Sequence, residues 1–109
     1  MRVGAISMLG KATLFLALIS PAQAQDGDPR RGIVLARAVC AECHAVHRGQ
    51  HSPNARAPTF SAIAAVPGMT VLAVQVALQT PHKTMPNLVL SAEERANIAA
   101  YILSLKPRR

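Results

Sequence analysis

The sequence predicts an all-helical domain of about four short helices joined by loops. Three observations lead there. Apolar residues recur three and four apart in separate segments, and capping residues or prolines mark the ends of these segments. No β-branched alternating run precedes the only two cysteines. Those cysteines sit in the run Cys40-Ala41-Glu42-Cys43-His44, which follows the first helical segment directly.

Asp28-Pro29 reads as an N-cap followed by proline at the first helical position, and it opens a helix from about Arg30 to Ala41. Val34, Leu35, Ala38 and Val39 supply its helical period. Residues 45–58 are rich in Gly, Ser, Asn, Pro and His and read as a loop, after which Thr59 to Ala65 forms a short helix. Pro67-Gly68 breaks the chain, and Thr70 caps a helix to about Gln79 with Val71, Val74, Gln75 and Leu78 on one face. Pro81 closes that helix, and Thr80 to Leu90, with two prolines and no helical period, reads as an extended loop. Ser91-Ala92-Glu93-Glu94 is a capping box. It opens a last helix to about Leu105, striped by Ile98, Tyr101, Ile102 and Leu105.

Two thiols three residues apart with an imidazole after the second form the covalent attachment signature of a c-type haem. On one helical turn both thiols project to the same side, so both can add to the vinyl groups of one haem edge. His44 then falls where its ring can bind the iron. A Cys-x-x-Cys pair can also be a redox couple or half of a zinc site. The redox motif belongs near a strand-helix-strand pattern, and His47, His51 and His82 lack the paired spacing of a zinc finger.

The first 24 residues read as a secretory signal. Arg2 and Lys11 supply positive charge, Ala12 to Ser20 form a short apolar run, and Ala22-Gln23-Ala24 is a small-residue cleavage pattern. A membrane anchor would need about 20 apolar residues, so a soluble product in the periplasm is expected, without stable membrane insertion. Residues 25–109 form one small domain whose own core is marginal; a buried porphyrin would supply apolar mass, and the apo-protein should fold poorly.

The whole chain carries twelve Lys/Arg against five Asp/Glu, a net +7. Without Arg2 and Lys11 the balance is still +5. No aromatic residues interleave with these charges, which argues against nucleic acid and favours acidic-surfaced partner proteins.

A histidine-bound haem iron leaves a sixth position, whose occupant decides between electron transfer and ligand chemistry. Met85 lies before Pro86 in the extended loop, in a stretch too polar and proline-rich for ordinary core, and is favoured as the axial thioether. Met69, in a turn before an amphipathic helix, reads as core filling. His82 is the remaining protein candidate. A His44/Met85 site leaves no vacancy for a small-molecule substrate and suits a change of oxidation state alone.

On these residues the chain resembles the class I c-type cytochromes, small soluble monohaem electron carriers, over nearly all of residues 25–109. Gly32, eight residues before Cys40, resembles the family glycine that lets the C-terminal helix cross closely, with Ile98 and Tyr101 at the positions that pack into the crossing. Ala57-Pro58-Thr59-Phe60 resembles the segment whose proline carbonyl accepts a hydrogen bond from the proximal histidine, which implies a cofactor-positioning role for Pro58. Met85-Pro86 is similar to the family's axial methionine loop. The chain departs from the pattern at Ala36, where the family often has an aromatic residue, and it has no Trp.

The resemblance implies the cytochrome c fold around one haem c and a non-enzymatic periplasmic electron carrier. Two other functions fit the same motif. One is a haem enzyme or small-ligand sensor with a labile Met85, in which His47, Arg48 and His51 assist with protons. The other is a dedicated cytochrome subunit of a larger oxidoreductase.

Overall fold

The computed structural model describes residues 26–108, together with Gly4 and Gly10. The signal segment expected over residues 1–24, with its cleavage site, otherwise lies outside the described residues. Four helices follow in order: α1 (Pro29–Val39), α2 (Phe60–Ala65), α3 (Val71–Gln79) and α4 (Ala92–Ser104). Among the described residues there is no strand; one isolated antiparallel bridge joins His82 and Met85.

Each helix starts where its sequence supplies a partner for the free first-turn amides. The Asp28 carboxylate accepts from the Arg30 amide at 2.9 Å, and Pro29 occupies the first helical turn. Thr59 accepts from the Ala62 amide and Thr70 from the Ala73 amide, at 3.0 and 3.1 Å. At α4 both halves of the capping box form: Ser91 Oγ accepts from the Glu94 amide at 3.1 Å, and Glu94 accepts from the Ser91 amide at 2.7 Å. Gly68, with φ of +74°, makes the left-handed turn that separates α2 from α3.

Helix α4 is the hub, packing against α1, α2 and α3. Ile98, Tyr101, Ile102 and Leu105 are all buried, and Ile98 is completely so. Burying such a side chain contributes about 1.5–3 kcal/mol. The tightest contact is the crossing with α1. A Cβ on Gly32 would overlap the Asn97 carbonyl oxygen, and one on Gly27 would overlap the Ala96 carbonyl oxygen. Asn97, buried at this crossing, accepts the Asp28 amide on its Oδ1 at 2.7 Å.

Two helix faces differ from the sequence expectation. In α1 the apolar period points to Val34, Leu35, Ala38 and Val39, yet Val34, Ala38 and Val39 are exposed and Leu35 only half-buried. The buried positions are Gly32 and Ala36, because close backbone approach to α4 selects small side chains rather than large ones. In α3, Val74 is buried and Gln75 and Leu78 are half-buried, whereas Val71 joins Leu72 and Val76 on the exposed side. Met69 packs half-buried against the core.

Candidate functional site

The two thiols and His44 are carried on a turn that continues α1. The amides of Cys43 and His44 both donate to the Cys40 carbonyl, at 3.2 and 2.9 Å, which winds the motif into one compact turn. Cys40 is buried and Cys43 half-buried, and both are free thiols. Burial pushes the Cys40 thiol above its ordinary range, so it stays uncharged at neutral pH.

His44 is fixed from the following loop. Its Nδ1–H donates to the Pro58 carbonyl at 2.6 Å, which leaves Nε2 as the ring nitrogen with a free lone pair. Phe60, the first residue of α2, lies with its ring centroid 5.6 Å from that of His44 at an interplanar angle of 52°. Tyr101 of α4 continues the row, 6.3 Å from Phe60.

The intervening loop is tied at several points that the sequence did not reveal. Asn54 donates its amide to the Cys43 carbonyl at 3.2 Å, Ser52 Oγ accepts the Ala45 amide at 3.0 Å, and the Phe60 amide donates to the Ala45 carbonyl at 2.9 Å. Tyr101 donates its hydroxyl to the Val46 carbonyl. Arg48 reaches the end of α4, donating to the Leu105 and Ser104 carbonyls at 2.7 and 3.0 Å. The only available signals were a Tyr on an apolar stripe and an Arg in a polar loop, and neither identifies its partner.

Met85 is half-buried in the extended loop. It lines a cavity of about 370 Å³ between the end of α3 and residues 86–90, with Arg95 beside it. His82 lines the same cavity, but its Nε2–H donates to the Ala77 carbonyl at 3.0 Å. His44 lines a different cavity of about 470 Å³ with Arg37, His47, Gln50 and His51. The structure thus brings Cys40, Cys43, His44 and Pro58 into one unit and does not join Met85 to it: Met85 and His44 line different cavities.

The donor set fits a c-type haem. Two free thiols on one turn match two thioether bonds, and an imidazole oriented through Nδ1 offers Nε2 to the iron. Among the described residues no group of three or more His, Cys, Asp or Glu side chains could hold a bare metal ion, so nothing in that region completes a zinc site around Cys40 and Cys43.

A small four-helix domain with a Cys-x-x-Cys-His turn leading out of its first helix defines the class of c-type haem proteins. Cytochrome c-552 of Bradyrhizobium diazoefficiens is 39% identical over 88 residues, spanning 81% of this chain and 85% of that protein. No family model and no solved structure matches the chain. At this identity and coverage the chain belongs to the c-type cytochrome family.

Proposed function

We propose that this protein is a periplasmic monohaem electron carrier. Cys40 and Cys43 hold one haem c covalently, and His44 and Met85 bind its iron. The observation that carries this reading is the oriented imidazole beside two free thiols, with Nδ1 of His44 tied to Pro58 and Nε2 left available. The name of the 39%-identical relative supports the same cofactor class. A bound haem c supplies a one-electron ferrous–ferric couple.

The chain's own residues keep that couple clean. The Pro58 carbonyl holds the His44 ring in one tautomer and orientation, and Phe60 packs beside it. Met85 offers a soft thioether from a proline-bounded loop, which favours the reduced form. If His44 and Met85 both held the iron of a bound haem c, they would leave it no place for a small-molecule substrate, which suits a carrier rather than an enzyme. Export rests on the leader over residues 1–24, and among the described residues no helix is long and apolar enough to cross a membrane.

The partners are redox proteins with acidic surfaces. All five carboxylate residues lie at Asp26, Asp28, Glu42, Glu93 and Glu94, so positions 43–92, including exposed Lys83 in the methionine loop, contain no acid. Electron-transfer rates with such a partner should fall as salt rises; rates indifferent to ionic strength would refute this docking.

Visible spectra of the oxidised and reduced protein test the whole reading. The expected result is a covalently held, low-spin haem in both states, with the weak far-red ferric band of methionine ligation. Met85→Ala should keep the haem attached while opening the iron to carbon monoxide or cyanide. If the variant stays low-spin and unreactive, Met85 is not the ligand.

A further inference from the structure

The cavity of about 470 Å³ beside His44 has an unusual lining: its other polar side chains, Arg37, His47, Gln50 and His51, can all donate hydrogen bonds, and none is a carboxylate. Arg37 donates its Nε–H to His47 Nε2 at 3.2 Å. That bond makes Nε2 the acceptor and leaves the ring proton of His47 on Nδ1. It also fixes the guanidinium plane while leaving the terminal N–H fork of Arg37 without a partner among the described residues.

The charge here is equally one-sided. The ion pairs among the described residues join Arg30 to Asp28 and Arg31 to Glu93, and Arg37 is in neither. Arg48 is the neighbouring cation, and its positive charge, like that of Arg37, bears on the Tyr101 hydroxyl. The two differ in how they are offset. Arg48 is anchored on the last carbonyls of α4, at the negative end of a helix dipole. Arg37 sits in the last turn of α1, yet its only hydrogen bond among the described residues goes to His47. The His47 nitrogen that accepts is already taken by the Arg37 guanidinium, so that ring has only its N–H to offer an occupant of the cavity.

We propose that this cavity binds a small oxyanion, with inorganic phosphate as the probe, between the Arg37 fork and the His47, Gln50 and His51 side chains. Planar, forked N–H donors match the geometry of two oxygens on one anion. The site also has a consequence for the haem, and this half rests on the carrier reading above. Because His44 lines the same cavity, a bound anion places negative charge near the iron-binding ring and favours the oxidised, more positive state. The protein would then take up an anion on oxidation and release it on reduction.

Phosphate replaces chloride at constant ionic strength in solutions of the haem-loaded protein, with the His47 and His51 ring resonances followed by NMR and the midpoint potential by redox titration. Saturable shifts of both rings are expected, with affinity about tenfold higher for the oxidised form, which lowers the midpoint by about 59 mV at saturation. Arg37→Gln should abolish the saturation, and His51→Ala should weaken it. Shifts that never saturate, or that are unchanged in Arg37→Gln, overturn the site. Saturable binding with a fixed midpoint overturns the redox coupling alone, and a protein with no one-electron couple overturns the carrier reading rather than the site.

Discussion

The Tyr101 hydroxyl donates to the Val46 carbonyl at 2.5 Å, a buried bond between α4 and the second residue after His44. Tyr101→Phe would leave that carbonyl without its partner in an apolar surrounding, so unfolding should become easier by about 1–3 kcal/mol. The bond also predicts a pH dependence. Burial pushes the Tyr101 hydroxyl above its ordinary value of 10.0, against the opposing pull of Arg37 and Arg48. The folded chain therefore keeps this proton when the unfolded chain has lost it. The associated stability is complete below about pH 10 and disappears as pH climbs through the raised folded value. Denaturant midpoints on either side of about pH 10 should show this alkaline loss in the wild type and a smaller one in Tyr101→Phe.

Gly32→Ala sets two effects against each other. In an exposed helix the change would gain about 1 kcal/mol from propensity. Here the added Cβ meets the Asn97 carbonyl oxygen, and α1 and α4 must move apart. Overpacking of this kind costs about 1–3 kcal/mol or more, so net destabilisation is expected, visible as a lowered Tm of the haem-loaded protein. A neutral or stabilising result would mean that the crossing is looser than described.

Arg48→Ala removes a charged donor from two carbonyls at the end of α4. A loss of about 1 kcal/mol is expected, partly reduced in high salt because the guanidinium is exposed. Denaturation at low and high ionic strength measures both the loss and its screening.

Replacing both thiols, Cys40→Ala with Cys43→Ala, should leave His44 and Pro58 able to hold haem without a covalent tie. Acidified organic solvent should then extract the pigment from the variant and not from the wild type. Pigment retained by the variant would refute attachment through these cysteines.

Helix starts were legible because each is governed by a side chain a few residues away. Asp28-Pro29, Thr59, Thr70 and the Ser91–Glu94 box cap the helices the sequence assigned to them. The Cys40–His44 turn was legible for the same reason. What was not legible depends on distant chain. The apolar period of α1 drew attention to Val34 and Val39, but the face that matters is Gly32 and Ala36, whose value lies in being small opposite α4. Nothing in the sequence singles out Asn97, and only the fold shows it taking the Asp28 amide across 69 positions. The Arg37–His47 pair likewise depends on how the loop after His44 folds back along α1.

The α1–α4 crossing at Gly27 and Gly32 makes the first and last helices of the described domain a single seam. A chain emerging from its N-terminus presents Cys40, Cys43 and His44 well before the helix that covers them exists. During that interval Cys40 stands in water; afterwards it belongs to the same apolar cluster as Ile98 and Tyr101. The seam therefore ties the burial of the Cys40 thiol to the arrival of α4, so a thiol reagent should reach Cys40 more readily in the unfolded chain than in the folded one.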